Sequence, residues 1–223
     1  NLLQLPPKEL AKRAAYLAQS RQIPDITAER MVLHGRFPYL SYPRRYRPQD
    51  IAAAKSAMER MGIADLAEKP LAQLSGGQRQ KVYIAMALAQ DADTILMDEP
   101  TNGLDIPSKS QFRKFMASGM SDDRVVVIST HQVKDIDKII DHVMILDENE
   151  MPLNASVSEV TRRLIFVESR NRELAQSAIY AQNSLGGCCM VLENTEGEDS
   201  ELNLETLFNV TLENRELIKK LFR

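Results

Sequence analysis

Two kinds of pattern alternate through the first two-thirds of the chain. Short apolar runs rich in β-branched residues (Thr94–Met97, Val125–Ser129 and Val143–Leu146) read as strands. Between them lie stretches with the spacing of amphipathic helices. Residues 8–20 predict a helix or turn that runs into a short strand at Tyr16-Leu17-Ala18-Gln19. Thr27 is placed to cap a helix over Ala28–Gly35, and a second helix covers Asp50–Met61 and stops at Gly62. Ser75 opens a helix through Ala89, Ile106-Pro107 begins one that reaches about Ser118, and Val133–Ile140 predicts another. Strands alternating with helices predict an α/β fold with a parallel sheet and crossover helices. The stretch Ile51–Ala89 carries no strand, so a helical subdomain over about residues 25–90 is expected inside that body.

After Asp147 the character changes. Leu164–Val167 and Cys188–Leu192 predict strands, Glu193–Asp199 an acidic turn, and Leu204–Phe222 a closing helix with Leu204, Leu207, Leu217 and Leu221 at apolar spacing. The expected division is a main body over 1–150 and a small α+β extension over 151–223.

Composition narrows the classes. The 223 residues are 43% hydrophobic and 26% charged, an ordinary globular balance. A net charge of −3 gives no ground for a nucleic-acid partner. The longest apolar run, Val82–Ala89, is far short of the ~20 residues that span a bilayer. The first residues, Asn1-Leu2-Leu3-Gln4-Leu5-Pro6-Pro7, show no basic stretch of a signal peptide. A soluble chain is expected, able to sit on a membrane protein and read as a fragment or a processed chain. Cys188 and Cys189 are adjacent, a spacing that suits neither a bridge nor a metal site, and a reducing cytoplasm is the simplest compartment.

Three segments carry candidate chemistry. In Leu74-Ser75-Gly76-Gly77-Gln78, Ser75 can cap the following helix, and the two glycines let an anion approach backbone N–H groups at a helix N-terminus. In Ile95-Leu96-Met97-Asp98-Glu99-Pro100-Thr101, an apolar strand ends in two carboxylates at the edge where α/β proteins bind ligands. Asp98 suits Mg²⁺ held through water, and Glu99 suits a base that orients an attacking water. Val125–His131 is an apolar strand ending in a polar edge with one histidine, His131, a candidate phosphate sensor. His34 and His142 lack such a context.

Taken together, these segments resemble the ATP-binding subunits of ABC transporters. Leu74–Gln78 is similar to the family signature, Ile95–Glu99 to its Walker B strand, and Asn102-Gly103-Leu104-Asp105 to its D-loop, commonly with Ala where Gly103 stands. His131 matches the switch histidine and Gln19 the Q-loop glutamine. The resemblance implies an α/β core of the P-loop NTPase type, with ATP and Mg²⁺ as ligands. It also implies a head-to-tail dimer in which the signature of one subunit faces the γ-phosphate held by the other. Under it, Glu99 and His131 are catalytic, and Asp98 and Gln19 serve the metal. Gln19, Leu74, Ser75, Gly76, Gly77, Gln78 and Asp105 contribute to the nucleotide site and its closure. A membrane permease and a second ATP-binding subunit are the implied partners, with the chain peripheral on the cytoplasmic face of the cell membrane.

The sequence departs from the family in one respect: the P-loop, Gly-x-x-x-x-Gly-Lys-Ser/Thr, occurs nowhere in the 223 residues. In the family it lies upstream of the Q-loop, so an N-terminal segment with the P-loop and most of an antiparallel β part is expected to be missing. This chain alone is then expected to be inactive. A remnant or chimera that completes a partner's site without hydrolysis, or a non-transport ABC protein, is the alternative. Gly35-Arg36-Phe37-Pro38 and Leu74–Gln90 resemble ATPases of iron-siderophore, haem and cobalamin importers, whereas the chain from Asn102 onward is more similar to those of multidrug and antibiotic exporters. The arginine-rich loop Arg36–Arg47 admits three readings: contact with acidic lipid headgroups, contact with permease residues, or a solvated loop.

Overall fold

A computed structural model of the chain describes residues 4–19, 22–119, 124–184 and 186–222. It forms two compact units, 1–135 and 136–223.

In the first unit, helix α1 (Pro7–Arg13) leads into strand β1 (Ala14–Leu17). Helices α2 (Ala28–His34), α3 (Pro48–Arg60) and α4 (Gly76–Ala89) follow without an intervening strand, as the 25–90 stretch predicts. Strand β2 (Thr94–Asp98), helix α5 (Ile106–Gly119) and strand β3 (Val125–Ser129) complete the alternation. The three strands make one parallel sheet in the order β1-β2-β3, with Leu17 opposite Met97 and Met97 opposite Ile128. The register brings the C-terminal ends of all three strands to one edge. One sheet face is buried through Ala15, Leu17, Ile95 and Met97, while Tyr16 and Leu96 on the other face are exposed. Parallel sheets are normally covered on both faces. The outer edge of β3 also has no partner strand among the described residues.

Helix α2 approaches α4 closely at a glycine. Gly35 ends α2 directly on the backbone of α4: a Cβ there would fall well inside contact distance of the Met86 carbonyl, 3.1 Å from the Gln90 amide. Gly35 has an ordinary helical φ of −56°, so close approach is its reason to be glycine. Gly35→Ala should therefore lower stability by about 1–3 kcal/mol in urea unfolding, because the α2–α4 contact must open. Gly76→Ala, where a Cβ meets nothing within 4 Å, should stay close to the parent. Equal midpoints for the two variants would contradict this packing.

In the second unit, β4 (His142–Asp147) and β5 (Glu150–Ser156) form an antiparallel hairpin. Helix α6 (Val157–Arg163) leads to β6 (Leu164–Ser169), helix α7 (Arg172–Ser177), β7 (Tyr180–Ser184) and β8 (Gly187–Glu193). The last three strands form an antiparallel sheet in the order β6-β8-β7. Helices α8 (Leu204–Glu213) and α9 (Arg215–Leu221) close the chain.

Several expectations change here. Val133–Ile140 is not a helix: only Val133–Asp135 makes a short 3₁₀ turn. Four β-branched residues and two aspartates in eight residues favour helix poorly, and so short a segment does not sustain one alone. The strand expected to reach Gln19 ends at Leu17. The single closing helix is two, broken at Asn214, whose backbone is non-helical (φ −123°, ψ 45°) and whose side chain donates to the Ile179 carbonyl at 3.4 Å. Residue 150 falls inside the β4–β5 hairpin, so the compact units divide earlier, between residues 135 and 136.

Candidate nucleotide site

The site begins with the end of β2. The Glu99 amide donates to the Ser129 carbonyl at 2.9 Å, extending the β2–β3 ladder by one residue, and the chain then turns sharply with Glu99 at φ 48°. A non-glycine residue in that region is strained, and such strain clusters at functional sites. The turn points the Glu99 side chain along the sheet edge, where it is only 8% exposed. Its carboxylate meets three groups from the end of β3. The Thr130 hydroxyl donates to one oxygen at 2.9 Å, and the His131 amide donates to the other at 2.8 Å. His131 Nδ1 lies 2.5 Å from that second oxygen. Toward an ionised carboxylate Nδ1 carries the proton, which leaves Nε2 on a largely exposed ring as the atom open to a ligand. Asp98, one residue earlier, accepts from the Ser129 hydroxyl at 2.6 Å through one oxygen.

The loop bearing His131 is tied to α5. The Lys109 ammonium donates to the Gln132 side-chain oxygen at 2.9 Å and pairs with Asp135 at 2.7 Å. Gln132 in turn donates its amide to the Thr130 hydroxyl at 2.9 Å. Asp105 caps the start of α5, accepting from the Ser108 amide at 2.9 Å. Hydrogen bonds from the Ser108 hydroxyl and amide hold the Asp105 carboxyl below the usual carboxylate range.

The glycine-rich segment forms the start of α4 as its sequence dictates. Ser75 and Gln78 make a reciprocal cap: the Ser75 hydroxyl accepts from the Gln78 amide at 3.2 Å, and the Gln78 side chain accepts from the Ser75 amide at 3.0 Å. The cap leaves the Gly76 and Gly77 amides at the open end of the helix. Leu74 is buried, and its carbonyl accepts from the Arg79 guanidinium at 2.5 Å. Gln80 donates to the Pro100 carbonyl at 3.0 Å, and a Cβ on Gly77 would come within 3.3 Å of the Gly103 carbonyl. The signature thus lies against the turn at Pro100–Leu104. At the other end of α4, Gln90 donates to the carbonyls of Ala11 and Ala14, so the helix runs from the sheet's C-terminal side back to the start of β1.

Of the residues expected to act, Asp98, Glu99 and His131 are brought together at one sheet edge. Leu74, Ser75, Gly76, Gly77 and Gln78 form the start of α4, and of these Gly77 lies against the turn that follows the carboxylates. Gln19 is exposed two residues past β1, and among the described residues no hydrogen bond joins it or Asp105 to the carboxylate pair. Thr130, Ser129, Gln132 and Lys109 were not legible as site residues. Two hydroxyl residues directly before a histidine at a strand end are the one sequence signal that could single out the first two.

The residues fit a bound nucleotide and metal in part. Mg²⁺ takes one or two protein oxygens and fills its octahedron with water and phosphate oxygens. The second oxygen of Asp98 and the amide of Gln19 are suited to that share. Among the described residues no group of three or more His, Cys, Asp and Glu could cage a metal alone. The Thr101 hydroxyl, fully buried two residues after Glu99, has no hydrogen-bond partner among the described residues.

Residues 3–102 match the family model described as ABC transporter. A probable siderophore transport system ATP-binding protein of Bacillus subtilis, YusV, is 31% identical over 161 residues, 71% of this chain and 58% of its own. The ferric enterobactin transport ATP-binding protein FepC of Escherichia coli is 34% identical over 161 residues, 71% of this chain and 59% of its own. The chain thus spans about three-fifths of the length of these curated relatives. Among solved structures, CbiO1 of Clostridium perfringens, part of the ABC transporter complex cbiONQ, superposes with a TM-score of 0.58 at 25% identity, covering 68% of this chain and 60% of that one. The fold is that of an ABC ATPase cassette, and residues 3–102 carry the likeness to the ABC transporter family of ATP-binding proteins.

Proposed function

We propose that this chain is the ATP-binding and hydrolysing subunit of a membrane transporter, working at the cytoplasmic face of the membrane as a head-to-tail dimer. The observation that carries the reading is the Glu99 carboxylate. It is nearly buried at the end of β2 and held by Thr130, the His131 amide and the His131 ring. A carboxylate fixed in this way can orient and deprotonate a water, and positioning of that kind supplies most of the catalysis in phosphoryl transfer. His131 presents Nε2 to the γ-phosphate, and Asp98 with Gln19 serves the metal. Mg²⁺, when bound, neutralises charge on the phosphates. Ser75 and Gly77 offer the end of α4 to the phosphate of the partner subunit, and Asp105 lies toward that subunit. The likeness to siderophore and iron-chelate import proteins supports a transporter of that kind.

The primary phosphate cradle comes from a P-loop-bearing segment. The bare Tyr16–Leu96 face of the sheet and the unpaired edge of β3 support its docking there.

Coupling to the permease is assigned to the segment 27–61, where Phe37 is 46% exposed on the loop between α2 and α3. Cysteine introduced at Phe37 or Tyr39 should cross-link to a membrane subunit in membranes of the source cells. Capture only from cysteines in the α8–α9 tail would contradict that placement.

A further inference from the structure

The segment from Gly35 to Pro48 contains four arginines and no acidic residue, in a chain whose net charge is −3. The structure separates the four. Arg36 is buried: Nε pairs with the buried Asp50 at 3.1 Å, Nη1 donates to the Ala89 carbonyl at 2.9 Å, and the Tyr39 ring lies 3.9 Å from its guanidinium carbon. It therefore anchors the loop to the end of α4. The other oxygen of Asp50 accepts from the Arg47 amide at 3.0 Å, and the Lys8 ammonium of α1 donates to the Leu40 carbonyl at 3.0 Å. The base of the loop is thus fixed on three sides.

Its tip is different. Arg44, Arg45 and Arg47 are exposed, and Tyr42 is 98% exposed. Arg44 stacks over Phe37, 4.5 Å from the ring centre, and Arg47 reaches the Ser41 hydroxyl at 3.1 Å. None of the three forms an ion pair among the described residues.

We propose that this loop is a docking element for anionic phospholipid headgroups, seated on the bilayer beside the permease. The inference rests on the transporter reading above. Guanidinium forks match phosphate geometry, and aromatic rings favour the headgroup level of a membrane. A protein partner would be expected to use a packed pocket around a buried anchor, whereas Tyr42 and the arginines project from the tip of a loop. Holding the base rigid lowers the ordering cost of binding. Basic residues near an anionic surface add about 1 kcal/mol each, so three give on the order of a hundredfold in partitioning at low salt.

The test is co-sedimentation of the 223-residue chain with vesicles, without nucleotide or permease. Vesicles of phosphatidylcholine alone are compared with phosphatidylcholine containing 30% phosphatidylglycerol, as a chosen test composition, each at about 0.05 M and about 0.5 M salt. Binding is expected only to the anionic vesicles and is lost at high salt. Arg44→Gln with Arg45→Gln should cut it at least tenfold, and Tyr42→Ala should weaken it further. Arg44→Lys with Arg45→Lys should keep most of it, and all variants should retain the circular dichroism of the parent. Equal binding to both vesicle types, or binding unchanged by the glutamine pair, overturns the proposal. If the glutamine pair leaves vesicle binding unchanged yet lowers cross-linking from Phe37, the loop serves the permease instead, and the transporter reading stands without the lipid.

Discussion

Residues 1–223, purified by themselves, are expected to release phosphate from ATP no faster than buffer does. The chain holds a fixed carboxylate at Glu99, a second carboxylate at Asp98, a histidine and a capped helix start. The motif Gly-x-x-x-x-Gly-Lys-Ser/Thr, whose lysine and backbone amides grip the β- and γ-phosphates, does not occur in these 223 residues. Groups that act by position have nothing correctly placed to act on, and effective concentrations in oriented sites are so high that losing the grip costs many orders of magnitude. Joining the chain to a P-loop-bearing N-terminal segment should raise Mg²⁺-dependent release by on the order of a thousandfold or more. It should also reduce aggregation, because the exposed Tyr16–Leu96 face and the free edge of β3 would then be covered. A phosphate-release assay on both forms decides the matter. Turnover by the 223 residues alone that vanishes in Glu99→Gln would show that the site is completed without a P-loop.

In the P-loop-bearing form, Glu99→Gln should lower kcat by about a hundredfold to ten-thousandfold, the usual loss when a positioned general base is removed. The amide is nearly the same shape, and its oxygen can still accept from the His131 amide. The strained turn and its surroundings should therefore persist, and KM for ATP should move little. What disappears is the negative charge that takes the water's proton and faces Nδ1 of His131. Steady-state kinetics with a direct ATP-binding measurement separate the cases. A kcat within severalfold of the parent, or a loss of ATP binding equal to the loss of kcat, contradicts the assigned role.

How much was legible followed from the range over which each feature is determined. The Ser75–Gln78 cap, the helix behind it, and the strands ending at Asp98 and Ser129 depend on neighbours within a few residues, and they read directly. So did the helical stretch around residues 25–90, because three capped amphipathic runs left no room for a strand. The grip on Glu99 did not read, since Thr130 and His131 reach it from 31 and 32 residues away through strand pairing. Likewise, the sequence does not distinguish Arg36 from the other loop arginines, because its partners Asp50 and Ala89 lie 14 and 53 residues away. In the second unit β5 and β7 escaped notice. Pro152 interrupts the first, and Tyr180-Ala181-Gln182-Asn183-Ser184 is polar because it is an exposed edge strand. Helices α6 and α7 are too short to show a period, and the break at Asn214 depends on a contact with Ile179.

The central claim is that one chain supplies the signature and another the phosphate, with Glu99 as the residue whose removal halts the cycle at that stage. Sedimentation velocity of the P-loop-bearing Glu99→Gln form, with saturating ATP and Mg²⁺, tests it most directly. The account predicts a dimer that forms with ATP, returns to monomer with ADP, and is abolished when Ser75 and Gly77 are replaced by bulky residues. A monomer in saturating ATP, with ATP bound, would contradict it.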